Sequence, residues 1–241
     1  MIVGTCGFPR ARKEVYRRLD GVELQETFYN LPSEGRMAAL RAEAPEGFVF
    51  TVKVFQGLTH PKGSPTYRRT RGFTPSEKNG FLRPTRENLE LWDSFERLTA
   101  PLKPAVYVFQ TPPNMPAELV GEALEFLRTI RGDARLAWEP RGPAAEAPGL
   151  AEKLAELGVA LAVDPFRRPP RPSPFYYFRL HGIGGGEVNY RYKYSDEDLR
   201  RLLDIARGRE PAYVFFNNVY MFDDAVRFRE LAKGLSTSGR V

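Results

Sequence analysis

Residues 175–187 read FYYFRLHGIGGGE, residues 190–194 read YRYKY, and together these stretches indicate the fold. The first begins as an apolar, aromatic run typical of a buried strand and reaches Arg179 and His181 before a glycine-rich loop. The same order recurs along the chain: a short strand-like run, polar side chains at its carboxyl end, and then a helical segment. This repeat predicts parallel strands alternating with helices, with the polar ends on one face.

Working outward from this stretch, eight runs rich in β-branched and aromatic residues can be assigned as strands. The predicted strands cover residues 2–6, 22–26, 48–54, 105–109, 136–138, 159–163, 175–181 and 212–216. Helical periodicity follows most of them, as in the segment 84–99. The exception is Pro165–Pro174, whose prolines prevent a regular helix between the sixth and seventh strands.

The fold class predicted from this order is α/β, a single (β/α)8 TIM-like barrel that occupies residues 1–241 as one domain. The sixth helix is expected to be missing or replaced by the proline-rich crossover. An open doubly wound sheet is the alternative. It is disfavoured because no dinucleotide-type glycine fingerprint follows the first strand.

Composition limits the classes of protein and partner. The chain has 241 residues, a formal net charge of +6 and one cysteine. It has no apolar run of the roughly 20 residues that a membrane helix needs, and its first residues lack a signal-peptide pattern. We therefore expect a cytoplasmic protein with no membrane partner. The basic balance favours an anionic small molecule or nucleic acid, or is simply a solvated surface, and nothing indicates a protein partner or a particular cofactor.

Polar side chains at the predicted strand ends form the candidate site, because barrel enzymes place their chemistry at the carboxyl ends of the strands. The candidates for catalysis are Glu26, Lys53, Glu139, Asp164 and His181. The candidates for substrate binding are Tyr29, Asn30, His60, Gln110, Arg141, Arg179, Gly182, Gly184, Tyr192, Tyr194, Asn217 and Asn218. A ring of structural salt bridges, such as Glu139–Arg179 or Glu26–Lys53, is the alternative interpretation.

Three chemistries fit this set. A carboxylate and His181 could transfer protons, which requires a group that titrates near neutral pH. His60, Glu139, Asp164 and His181 leave open a single divalent metal ion, although two histidines are too few for a histidine-rich multi-zinc site. A Schiff base at Lys53 is the third option, which a neighbouring Glu26 would oppose by raising the pKa of the lysine.

Arginines and glycines at the same face suggest an anion site. Arg179 and His181 lie two residues apart, so both side chains point to one face of the strand. We expect Arg179 to be buried against Glu139 or Asp164. Phosphate is expected to bind Arg179 or Arg141 and the free N–H groups of the glycine loop, residues 182–186.

Several motifs resemble the YecE-like family, known as domain of unknown function 72. The matching pieces occur in family order over most of the chain: Gly4–Phe8, Glu26–Asn30 with Pro32, Phe50–Lys53 with Thr59 and His60, Gln110–Pro113, Trp138–Arg141, Asp164, Arg179–Gly182 with Tyr192 and Tyr194, and Phe216–Asn218. The resemblance implies a TIM-barrel-like fold. It implies no reaction, since the family is defined by lacking one.

The leading functional hypothesis is an enzyme, a hydrolase or lyase, that acts on a phosphorylated or nucleic-acid-derived substrate at this face. A non-catalytic protein that binds nucleic acid or nucleotides is the first alternative, and salt-dependent binding without turnover would favour it. A sugar-processing barrel that uses Glu26 and Glu139 as a carboxylate pair is the second.

Overall fold

Parallel strands close into a complete barrel. The computed structural model of the protein describes residues 1–130, 132–186 and 188–238, with only the backbone of 235–238, so Glu187 of the opening stretch lies outside the described residues. Each strand pairs with the next in chain order, and the last pairs with the first. The strands are β1 (Ile2–Cys6), β2 (Gly21–Leu24), β3 (Val49–Lys53), β4 (Val106–Gln110), β5 (Arg135–Glu139), β6 (Ala160–Val163), β7 (Tyr176–Leu180) and β8 (Ala212–Phe216).

Helices connect the strands around the outside of the barrel. In the described part of the chain they are α1 (Arg12–Arg18), α2 (Glu26–Tyr29), α3 (Glu34–Glu43), α4 (Gln56–Thr59), α5 (Arg86–Thr99), α6 (Val120–Thr129), α7 (Leu150–Glu156), α8 (Asp196–Ala206) and α9 (Met221–Ser238). Short 3₁₀ turns cover Pro65–Arg69, Ala100–Leu102, Ala117–Leu119 and Gly142–Glu146. None of the helices in these described ranges is long and apolar enough to cross a membrane.

Two apolar layers hold the barrel together, and strand alternation assigns each side chain to one of them. Val22 and Leu24 of β2 belong to the larger layer, which packs the sheet against the helices. The smaller layer fills the barrel interior with side chains such as Val108, Ala137 and Tyr177. Strand residues next in sequence to those of the larger layer therefore point into the barrel, where buried polar side chains need hydrogen-bond or ionic partners.

Gly4 allows the interior to close. It lies opposite Gly21 of β2 and Phe215 of β8. A Cβ atom at Gly4 would collide with the carbonyl oxygen of Gly21 and would lie 2.6 Å from Cε1 of Phe215. The absence of a side chain here thus lets neighbouring strands and an aromatic ring pack closely.

The connection between β6 and β7 has no helix, as the prolines predict. Residues 164–175 form turns and bends without a regular helix or strand, so the sixth helix of the barrel is replaced by a crossover. The ring of Phe166 lies 5.7 Å from that of Tyr194, which fixes the start of the crossover against the loop after β7. Because this side of the barrel lacks a helix, the ends of β5 and β6 border an open cleft.

Candidate active site

A buried ionic network fills the barrel at the carboxyl ends of the strands. Tyr177 of β7 points inward, since its hydroxyl lies 2.7 Å from Oγ1 of Thr51 and donates to Oε2 of Glu23 at 2.8 Å. Arg179, two residues further along β7, therefore points inward as well. Both Glu23 and Arg179 are completely buried.

Each nitrogen of the Arg179 guanidinium donates a hydrogen bond to another residue of the protein. Nη2 and Nε donate to the two carboxylate oxygens of Glu23, at 2.7 and 3.0 Å. Nη1 donates to Oε2 of Glu139 and lies 3.5 Å from Oε1 of Gln110. The expected pairing of Arg179 with Glu139 is thus present, and Glu23 is a second partner. The expectation that Arg179 binds phosphate is wrong for this structure, because the side chain is covered and its donors are occupied.

Charge within the network keeps both carboxylates ionised. Burial alone would raise the pKa of Glu139, but Arg179 and Arg141 hold that pKa well below its ordinary value. The pKa of Glu23 is also lowered, because the attraction of Arg179 and its hydrogen bonds outweigh burial. Both carboxylates therefore remain ionised near neutral pH, and the arginines that bind Glu139 make it a weaker base than an ordinary glutamate.

Arg141 connects this network to a cleft of about 470 Å³. Its Nε and Nη2 donate to Oε1 of Glu139, at 3.0 and 2.8 Å. Its Nη1 has no hydrogen-bond partner in the described part of the chain, and 19% of its side chain is exposed. The charged groups lining the cleft are Glu139, Arg141, Glu146, Asp164, Arg167 and Arg168, with His181 beside them.

Asp164 and His181 lie together on the wall of this cleft. The backbone N–H of His181 donates to Oδ2 of Asp164 at 2.9 Å, and that of Phe166 donates to Oδ1 at 3.1 Å. The imidazole Nδ1 of His181 lies 3.9 Å from Oδ2. Its Nε2 is fully covered and has no partner among the described residues. The pair therefore combines an anchored carboxylate with an imidazole that has an unused nitrogen.

Burial shifts the pKa of both groups. It raises the pKa of Asp164 to about 6, although the two backbone N–H donors oppose the shift. It lowers the pKa of His181 to about 4, although Glu139 opposes the shift. At pH 7 the cleft consequently holds a carboxylate that titrates close to neutrality and an uncharged imidazole, a pair suited to proton transfer.

Lys53 and His60 occupy another part of the same end of the barrel. The Lys53 side chain lies over Phe28, with Nζ 4.1 Å from the ring centroid. Burial and the positive charge of Arg179 lower its pKa to about 7. His60 has Nδ1 2.8 Å from Oγ1 of Thr59, and burial lowers its pKa to about 3. Both are buried; Lys53 is the last residue of β3, and His60 directly follows α4.

The proposed metal ligands are not gathered into one site. Within residues 1–130, 132–186 and 188–238, no three side chains of His, Cys, Asp or Glu lie where they could hold a metal ion together. Of the four candidates, His181 and Asp164 are neighbours, whereas His60 contacts Thr59 and Phe28. Glu139 is bound by arginines.

Glu26 lies at the start of a helix rather than at the end of β2, and Glu23, which was not among the predicted site residues, is the acidic residue that points into the barrel. Strand β2 ends at Leu24 rather than at residue 26, so Glu26 begins α2 and is exposed. It forms a salt bridge with Arg36 of α3 at 2.7 Å, not with Lys53. The inward residue is Glu23, and the signal was available: Val22 and Leu24 on either side of it pack toward the helices.

Several predicted binding residues have structural partners instead. Asn30 contacts the loop after β3, since its Oδ1 accepts from the backbone N–H of Arg71 at 2.7 Å. The ring of Tyr29 is covered by the guanidinium of Arg69, 3.7 Å from its centroid. Asn218 donates to the carbonyl oxygen of Tyr192 and to Asp224. Asn217 follows β8 and is half-buried.

The glycine loop presents carbonyl groups to an arginine. Arg167 donates to the carbonyl oxygens of Gly182, Gly184 and Gly186. The N–H of Gly182 donates to the hydroxyl of Tyr194 at 2.8 Å, so this donor is not available to an anion. Tyr192 in turn donates to Asp198 at 2.7 Å. The predicted phosphate cradle is therefore wrong at Gly182, where the loop is held by the protein itself.

The family is settled by a match over most of the chain. A model described as "Protein of unknown function DUF72" matches residues 10–240. The chain belongs to the DUF72 family. This is the family whose motifs the sequence resembles, and membership assigns no reaction. No curated protein matches the chain.

Solved DUF72 structures have the same fold. A DUF72 family protein from Enterococcus faecalis V583 is 21% identical, with 96% of this chain and 97% of that chain covered and a TM-score of 0.74. A DUF72 family protein from Thermotoga maritima MSB8 is 25% identical, with 96% and 98% covered and a TM-score of 0.70. The barrel of this chain is thus a fold that DUF72 proteins share.

Proposed function

We propose that this DUF72 protein is a lyase-type enzyme, which removes a proton from a small anionic substrate bound in the cleft beside β5 and β7. One observation carries the proposal. The imidazole of His181 lines the cleft next to Asp164, and its buried Nε2 has no partner in the described part of the chain. An unpaired buried polar atom costs about 1–3 kcal/mol, so a site that retains one is expected to use it when a ligand binds.

Arg141 is the group that supports an anionic substrate. Nε and Nη2 are held by Glu139, which fixes the plane of the guanidinium, and Nη1 remains for a ligand. Arginine binds phosphate and carboxylate oxygens with charge-assisted hydrogen bonds. A substrate oxygen bound at Nη1 would lie within the cleft that Asp164 and His181 also line.

Asp164 and His181 have separate roles in the proton transfer. Ionised Asp164 accepts the proton from the substrate carbon, and the raised pKa makes it a stronger base than an ordinary aspartate. Neutral His181 donates a hydrogen bond to the oxygen on which negative charge develops. An uncharged imidazole is suited to that role because it donates without first being protonated.

A lyase agrees better with these groups than the other hypotheses do. Elimination needs a base and a donor for the developing oxyanion, and both line the cleft. Nucleic-acid binding has less support, because basic side chains in the loops after β3 and β6 form ion pairs with acidic residues of the protein. Lys62 pairs with Glu77 at 3.1 Å, and Arg168 pairs with Glu146. A sugar-processing pair of Glu26 and Glu139 has less support too, since each of these carboxylates is bound by arginine.

We predict that Arg141→Ala raises the KM for phosphorylated substrates about 10- to 100-fold, since a hydrogen bond to a charged group contributes about 1.5–3 kcal/mol. A panel of sugar phosphates and phosphorylated hydroxy acids is incubated with the protein in D₂O. Proton NMR then detects exchange of carbon-bound hydrogen or elimination. Arg68→Ala, on the exposed loop after β3, is the matched control and should leave KM unchanged. Equal KM values for the two variants, or no exchange across the panel, would contradict the proposed function.

A further inference from the structure

Lys53 is a buried amine with no anionic partner. It lies at the carboxyl end of β3, and 8% of the residue is exposed. Within the described residues, its Nζ has no hydrogen-bond acceptor and no carboxylate within 4.0 Å, and its contact is the face of Phe28. The Nζ atom lacks a hydrogen-bond partner within the described residues, but it is not fully covered and so keeps some contact with solvent.

Burial, helped by the positive charges of Arg179 and Arg141, favours the neutral form of Lys53, whereas Glu23 and Glu139 oppose it. The groups that act on it are the cations Arg179 and Arg141 and the carboxylates Glu23 and Glu139. Both carboxylates are bound by arginine, whereas neither is bound by the lysine. Glu26, which was expected to stabilise the charged form, pairs with Arg36 outside the network. The lysine thus lies in a desolvated site beside two cations and without a carboxylate bound to it, an arrangement that activates amines as nucleophiles.

We propose that Lys53 is a carbonyl-reactive amine, and that the compound it reacts with is an aldehyde or ketone bearing an anionic group, because the positive charge of Arg141 acts on this lysine. This inference rests on the proposed function for the anion site at Arg141. It adds the chemical class of the substrate and a covalent step. A lysine that merely filled space would be expected to pair its charge or to extend into solvent.

The step is a condensation in which the atoms balance. The nitrogen lone pair of Lys53 attacks the carbonyl carbon, and the carbonyl oxygen becomes a hydroxyl. The nitrogen passes one of its protons to that oxygen, and the hydroxyl takes up a second proton from solvent and leaves as water, which gives a protonated imine. The protonated imine withdraws electrons from the adjacent carbon, so a proton on that carbon becomes more acidic. Hydrolysis reverses the condensation and restores the lysine.

Lys53 should react selectively near pH 7. Burial and Arg179 lower its pKa to about 7. An ordinary lysine, with a pKa near 10.4, has about 10³-fold less free amine at that pH. Reaction at Lys53 should therefore increase as the pH rises from 6 to 8, before exposed lysines begin to compete.

Reductive trapping tests the inference. The protein is mixed at pH 7 with glycolaldehyde phosphate or with glycolaldehyde, and sodium borohydride is added. Borohydride reduces an imine to a stable secondary amine, which peptide mass spectrometry locates. We expect Lys53 to be the main modified residue and to react at least 10-fold faster with the phosphorylated probe. Lys53→Met should remain folded, because the lysine makes no ion pair, and should lose the modification.

The outcomes separate this inference from the proposed function. Modification of Lys53 with a phosphate preference that Arg141→Ala removes supports both. Equal modification by the two probes keeps the amine assignment and overturns the anionic substrate class. Modification confined to exposed lysines, or unchanged in Lys53→Met, overturns the assignment of Lys53, while proton exchange that depends on Asp164 would still support the proposed function.

Discussion

Arg179→Ala is expected to lower the free energy of unfolding by about 3–5 kcal/mol. The substitution leaves Glu23 without the bidentate partner that is bound at 2.7 and 3.0 Å, inside a completely buried site. Glu139 loses one of its two arginines in the same change. A cavity left by the guanidinium adds to the cost. Urea denaturation monitored by circular dichroism measures the change.

The control for this prediction is Arg68→Ala, which should change the free energy of unfolding by less than about 0.5 kcal/mol. The pH dependence of the free energy of unfolding gives a second measurement. The pKa of Glu139 is lower in the folded protein than in the unfolded chain, so its stabilising effect is complete above about pH 5 and is lost as the pH falls. The difference between wild type and Arg179→Ala should shrink in acid. Equal stabilities at pH 7 would contradict the account of a buried network.

Asp164→Asn is expected to reduce proton exchange from substrate about 10²- to 10⁴-fold, the usual effect of removing a general base. In the wild type, activity should rise with pH through about 6, because Asp164 must be ionised to accept a proton. In Asp164→Asn this rise of activity with pH should be absent. The measurement is the rate of deuterium incorporation between pH 5 and pH 8, with the Arg68→Ala protein as a reference.

Folding of the Asp164 variant has to be followed alongside, because the carboxylate also accepts the backbone N–H groups of His181 and Phe166. An asparagine amide nitrogen cannot accept either bond. A melting curve at each pH separates loss of structure from loss of the base. A folded Asp164→Asn protein with an undiminished rate, or with the acidic limb intact, would show that another group accepts the proton.

The barrel could be predicted from the sequence because its signals are local. Runs such as residues 48–54 and 212–216 have strand composition, and prolines in 165–174 exclude a helix. The closed barrel with β8 next to β1 and the helix-free crossover confirm these predictions. Strand ends were less certain: β2 ends two residues earlier than expected, which turns Glu26 outward and leaves Glu23 inside.

Partner choice in the site could be predicted only in part. That Arg179 needs a buried carboxylate follows from strand alternation and the cost of burying charge. Which carboxylate binds it depends on the geometry of strands far apart in sequence, as the separation of 156 positions between Glu23 and Arg179 illustrates. The glycine loop was similarly ambiguous, because its backbone offers both donors and acceptors, and Arg167 binds the acceptors.

Phosphate titration of the protein labelled with ¹⁵N in its two histidines tests the central claim most directly. If an anion binds at Arg141 beside the unpartnered Nε2 of His181, the imidazole signals of His181 will shift and saturate with phosphate. Its pKa will rise from about 4, since a nearby anion favours the charged form. In Arg141→Ala these changes will be lost. Signals that stay unchanged with phosphate, or that shift equally in Arg141→Ala, would contradict the account.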